Sequence, residues 1–158
     1  MASFNEIGGV PSSANKFLLT KILRDEWKFD GFVVSDWNSI GELIEHGVAK
    51  DLKHAGELAM NAGLDMDMEA NSYYSHLADL VKEGKVSLQI LDESVRRVLR
   101  IKFRLGLFDD PYKYCDAERE KNTIMSKEII QATLQSARES IVLLKNENKL
   151  LPLKKDLK

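Results

Sequence analysis

The stretch GFVVSDW, residues 31–37, most limits how this chain folds. Phe32, Val33 and Val34 are apolar without alternation, the pattern of a strand covered on both faces. Gly31 opens the run, and Ser35, Asp36 and Trp37 end it abruptly. Such a strand calls for parallel neighbours and covering helices.

Helix-patterned segments do alternate with short apolar runs. Residues 1–5 are short and apolar-rich, and Ile7-Gly8-Gly9-Val10-Pro11 reads as a loop, with Gly8-Gly9 a turn rather than a phosphate cradle. Ser12 or Ser13 is expected to cap a helix whose inward residues are Phe17, Leu18, Ile22, Leu23 and Trp27. A second helix is predicted over 40–46, closed by Gly47. A third is predicted over 51–62, with Leu52, Ala55, Leu58, Ala59 and Ala62 inward and Gly63 as a left-handed cap. Residues 64–68 form the next strand candidate. Helices follow over 73–83, ending at Gly84, and from Ser87 or Asp92 to Leu105, with Leu91, Val95, Val98 and Leu99 inward and Gly106 as the stop. GLFDDPYKYCDAERE has few periodic apolar residues and reads as a surface linker. A helix over 126–138 and an apolar strand over 141–144 complete the pattern.

Alternating strands and helices predict parallel pairing with crossover helices, as in open α/β sheets and (β/α)8 barrels. Both place chemistry at the C-terminal ends of their strands, where Asp36 falls. A carboxylate there can be a nucleophile, a general base, a metal ligand or a helix cap, and for an arbitrary aspartate the cap is the default. Trp37 shifts the balance, because an indole beside a strand mouth presents a flat face on which a sugar ring can stack.

Other chemistries find little support. Lys and Arg number 23 against 25 Asp and Glu, and no basic patch interleaves with aromatics, which argues against nucleic acid as a partner. No apolar run approaches the roughly 18 residues that span a membrane. Cys115 is the single cysteine, so no internal disulfide forms and the compartment stays open. Asp65, Asp67 and Glu69 alternate in LDMDMEA like the start of a calcium loop, but Ala70 and His76 stand where that loop needs glycine and glutamate. One of these acids is expected to cap the following turn, with Leu64, Met66 and Met68 packing. His46, His54 and His76 form no ligand-spaced pair, so neither metal nor cofactor is expected.

Several stretches, in order and spacing, resemble glycoside hydrolase family 3, the bacterial β-glucosidase type. MASFNEIGGVPSSANKFLLTKILRDEWKFDGFVVSDW is similar to the family's sixth barrel strand, the helix after it, and the strand bearing the nucleophile. AGLDMDM resembles the next strand, VKEGKVSLQILDESVRRVLRIKFRLGLFDDPY the closing helices of the barrel domain, and ARESIVLLKNENKLLPL the start of a second domain. The resemblance implies an internal slice of a longer protein, α/β in class. Residues 1–108 would be the C-terminal part of an incomplete (β/α)8 barrel, 109–125 a linker, and 126–158 the start of an α/β sandwich domain.

It further implies that Asp36 is the catalytic nucleophile and that Trp37, Met1 and Phe4 line the sugar site, with no metal and no cofactor. Phe4 stands where the family often has a tyrosine able to reach the nucleophile, and Gly8 where asparagine is usual. The implied reaction is retaining hydrolysis of terminal β-D-glucosyl residues through a glycosyl–Asp36 intermediate, the two carboxyls standing about 5–5.5 Å apart. The implied partners are a β-glucoside or oligosaccharide and the missing barrel and sandwich portions of the parent chain, which would carry the general acid/base. The alternatives are a β-xylosidase of the same family and a non-catalytic remnant or interaction module. The SDW sequence favours glucosidase-like members over the N-acetylhexosaminidase branch.

Overall fold

The computed structural model describes residues 1–156. They fall into two compact units, Met1–Lys113 and the segment from Tyr114 on.

The first unit opens with a hairpin, not the plain loop expected. β1 (Glu6–Ile7) pairs antiparallel with β2 (Val10–Pro11). Gly8 and Gly9 make the turn at φ 63° and 76°, which the two central positions of a type I′ hairpin demand. The Asn15 amide donates to Ile7 O and Val10 O, so one buried side chain closes the hairpin from outside.

A 3-10 turn, Ser12–Ala14, leads into a π-helix, Phe17–Glu26. Neither Ser12 nor Ser13 caps it. The acceptor for Leu18 N is Asn15 Oδ1, and the serine hydroxyls bond elsewhere. The expected inward face is also corrected: Leu19 is the buried residue, while Phe17 and Trp27 are 59% and 72% exposed. The Trp27 N–H bonds Ile22 O, five residues back, and this wider winding throws a 3.6-residue pattern out of phase.

The two predicted strands meet as a short parallel bridge, Val34 to Met66. Val33 O accepts from Asp65 N and Met66 N, and Ser35 N donates to Met66 O at 2.9 Å. On the other side Val34 O accepts from Ala2 N at 2.8 Å, so residues 1–4 begin next to the strand that ends at Asp36.

The helix expected over 40–46 shortens to one 3-10 turn, Gly41–Leu43, yet Ile40 and Leu43 are fully buried. α1 (Leu52–Ala62) matches the expectation, with Asp51 accepting from His54 N and Gly63 at φ 99°. Its Ala55, Ala59 and Ala62 pack with Leu19, Val33, Ile40, Leu43 and Leu64 in the main core. Three small side chains on one face let α1 lie close to the strands. α2 (Ser72–Lys82) and α3 (Leu88–Arg104) enclose a smaller core of Met60, Leu80 and Val86. Ser87, not Asp92, caps α3 by accepting from Ile90 N. Val95 and Leu99, expected inward, are 47% and 38% exposed, and the buried residue of that helix is the polar Ser94.

The second unit has no buried residue among those described. α4 (Ala117–Thr123) lies within the stretch read as linker. It has almost no apolar stripe to betray it and depends on Asp116 accepting from Arg119 N. α5 (Lys127–Ser140) starts at Ser126 as expected. Residues 141–144 are not a strand: they carry no regular secondary structure and are 62% to 92% exposed, with no ladder partner among the described residues. A strand exists only through its neighbour, and none lies alongside among the described residues.

Candidate active site

The Val34–Met66 strand pair has two chemically different ends. At the N-terminal end, the Asp65 side chain is completely buried, with both oxygens engaged. Oδ2 accepts from Val33 N at 2.8 Å and pairs with Arg24; Oδ1 accepts from Ser94 Oγ and Arg97 Nη1, each at 2.9 Å. Arg24 also donates to Gly31 O and Gly63 O, the residues that open the two strands. Burial draws its guanidinium below the ordinary arginine pKa while the Asp65 charge opposes that drift. Arg100 and Arg104 of α3 bind Asp30 through its carbonyl and carboxylate. This end is a staple: charges 32 and 41 residues apart in sequence cancel one another and fix the strand starts.

At the C-terminal end Asp36 is half-buried and Trp37 is 64% exposed. Asp36 Oδ1 accepts from Trp37 N at 2.7 Å; Oδ2 has no hydrogen-bond partner among the described residues. The carboxylate is therefore neither a helix cap nor sealed in the core. Asn38 takes the left-handed conformation, φ 54°, which turns the chain sharply after Trp37. The loop is tied sideways to the neighbouring strand, since Asn38 N donates to Met68 O and Met68 N donates to Ser35 Oγ at 2.7 Å. One residue thus projects an oxygen from a rigid, main-chain-bonded loop at a strand mouth, the arrangement expected of a nucleophile or base.

Met1 is 72% and Phe4 38% exposed. The Ala2–Val34 bond puts their segment beside the Asp36 strand, while their side chains make no hydrogen bond to Asp36. Of the three alternating acids, Asp67 caps as anticipated, accepting from Tyr73 N at 3.1 Å, and Glu69 is exposed at φ 78°. Tyr73 donates its hydroxyl to Leu64 O at 2.7 Å, and burial raises its pKa well above the ordinary phenol. The sequence reading missed the Arg24–Asp65–Arg97 staple. Asp65 gives no local sign of it, since it alternates with Asp67 and Glu69 on the face opposite Leu64, Met66 and Met68.

The family model of the glycosyl hydrolase family 3 N-terminal domain matches residues 1–101. A periplasmic beta-glucosidase of Salmonella typhimurium is 41% identical over 158 residues, covering 98% of this chain and 21% of its own length. A beta-xylosidase of Formosa agariphila is 38% identical, covering 97% and 22%. Among solved structures, a beta-glucosidase from Listeria innocua in complex with glucose superposes with a TM-score of 0.77 at 42% identity, over 96% of this chain and 20% of that one. The chain spans about a fifth of the length of these relatives. Its α/β character, with mostly helical content around parallel-paired strands, is that of the matched domain. With a match over its first 101 residues and relatives aligned along almost its whole length, the chain belongs to glycosyl hydrolase family 3.

Proposed function

We propose that this chain is the nucleophile-bearing portion of a longer retaining β-glycosidase. Asp36 attacks the anomeric carbon of a terminal β-D-glucosyl residue, the glycosidic bond breaks, and a covalent glycosyl–Asp36 ester forms. A carboxylic acid from outside these residues protonates the leaving oxygen and then activates the water that frees the sugar. Trp37 offers its exposed face to the substrate, and Met1 and Phe4 contribute to the sugar site. Residues 1–108 act as the closing part of an incomplete (β/α)8 barrel, 109–125 as a linker and 126–158 as the start of an α/β sandwich domain. The partners are a β-glucoside or oligosaccharide and the remaining portions of the parent polypeptide. Because the acid/base is proposed to come from other parts of the parent polypeptide, the isolated 158 residues are expected to show no measurable hydrolysis of a nitrophenyl β-glucoside.

One observation carries this reading: Asp36 keeps an unpartnered carboxylate oxygen at the open end of a strand in a family 3 chain. A second reading, β-xylosidase, has equal backing from the relatives. Treating the full-length protein with 2-deoxy-2-fluoro-β-glucosyl and -xylosyl probes separates the two by trapping rate. Peptide mass spectrometry is expected to find the label on Asp36; label on another residue removes Asp36 from the role.

A further inference from the structure

Asp36 is held by its main chain rather than by a cage around its carboxylate. Ser39 takes both of its peptide groups: the Asp36 N–H donates to Ser39 Oγ at 3.2 Å, and the Ser39 N–H donates to Asp36 O at 3.1 Å. The same Ser39 Oγ lies 2.7 Å from Ser13 Oγ, and the two serines are 3% and 1% exposed. A hydroxyl has one proton and two lone pairs, so Ser39 can accept from the Asp36 amide and still share a proton with Ser13. Ser13 in turn sits in the Ser12–Ala14 turn, and Ser12 is anchored to Asn5 O through both its amide and its hydroxyl. A chain of bonds thus runs from the turn behind the hairpin to the peptide of Asp36.

The carboxylate follows that peptide closely. Its Oδ1 is bonded to the next amide, Trp37 N–H, so a rotation of the loop carries the carboxylate with it. An error of about 1 Å in the place of a reacting group costs on the order of 100-fold in rate. The Ser35 and Asn38 bonds to Met68 hold one side of the loop, and among the described residues the serine pair holds Asp36 itself from the other.

We propose that Ser39, backed by Ser13, is a positioning residue that keeps the Asp36 carboxylate in attacking geometry; this rests on reading Asp36 as the nucleophile. The test measures, in the full-length protein, the rate constant ki and the binding constant Ki for inactivation by the 2-fluoro-glucosyl probe. The proteins compared are wild type, Ser39→Ala, Ser13→Ala and the double variant. The mass of the labelled protein gives the fraction of active molecules, so loss of folded enzyme is separated from slower attack by folded enzyme. In Ser39→Ala, ki per active molecule is expected to fall at least fivefold at unchanged Ki. Ser13→Ala should lose less, and the double variant no more than Ser39→Ala alone, because the tether passes through Ser39. A fall in ki of less than fivefold, or a loss confined to the labelled fraction, overturns the proposal. Should Ser39→Ala fail to fold, Ser13→Ala decides by itself, a change below twofold overturning the proposal. Wild-type label on a residue other than Asp36 defeats the nucleophile reading instead, so the two failures are distinct.

Discussion

The two ends of one strand pair carry an aspartate each, Asp36 and Asp65, and they sit in opposite surroundings. Asp65 is dry and saturated by two guanidiniums, a hydroxyl and an amide. Asp36 is half-wet, with one oxygen bonded and the other open. A buried carboxylate whose lone pairs are all spent cannot attack anything, whereas an exposed one without positioned support reacts no better than acetate. The division agrees with the rule that strand C-termini in barrel domains hold chemistry and N-termini hold stability. The separation leaves the Asp36 end under-satisfied while the Asp65 end is fully bonded.

The sharpest way to break this contrast is Asp36→Asn in the full-length protein. Turnover of a nitrophenyl β-glucoside is expected to fall by about three powers of ten or more, with an unchanged melting temperature. Retention of over a tenth of wild-type turnover would place the nucleophile elsewhere.

Next comes Asp65→Ala, which strands two arginines in the interior. Denaturant unfolding should show a loss of about 3–5 kcal/mol, the range for breaking a buried ion pair from one side. The surviving folded molecules should keep their labelling rate at Asp36. A stability loss below about 1 kcal/mol would mean that the arginines find solvent and that the staple is weak.

Tyr73→Phe removes the donor to Leu64 O just before Asp65. Its cost should be about 1 kcal/mol, read from the same unfolding curves, with activity unaffected. The smallest net effect is predicted for the combined change Arg24→Met, Asp65→Leu and Arg97→Leu. Replacing the whole cluster by apolar groups is expected to recover most of the loss seen in Asp65→Ala, since the desolvation penalty disappears with the charges. If the triple variant were no more stable than Asp65→Ala, the cluster's geometry rather than its neutrality would be what holds the strand ends.

The aspartate at the strand mouth was the legible one. GFVVSDW announces a buried strand and its end within seven residues, and no distant information is needed to see where Asp36 falls. Ser87 as one of two cap candidates, the start of α5 at Ser126 and the left-handed Gly63 were legible for the same reason, being decided within one turn of chain. Asp65 looked like one of three alternating acids, and its partners Arg24 and Arg97 gave no local sign. Ser13 read as a cap and instead reaches Ser39, 26 residues away. Trp27 read as core and lies exposed, because the π-helical winding changed the phase that the reading assumed.

Residues 141–144 make the limit plain. Their apolar, β-branched character marks a strand, but strand formation is a two-body event and the described residues offer no second body. What this sequence determined unaided is the set of short-range choices: where apolar runs stop, where helices start and end, and which carboxylate stands at a strand mouth. Those follow from backbone sterics and nearest-neighbour hydrogen bonds. Only tertiary structure decided which buried charges neutralise one another and which hydroxyls meet, because Coulombic and hydrogen-bond partners are chosen by distance in space, and the linear order of residues does not contain it.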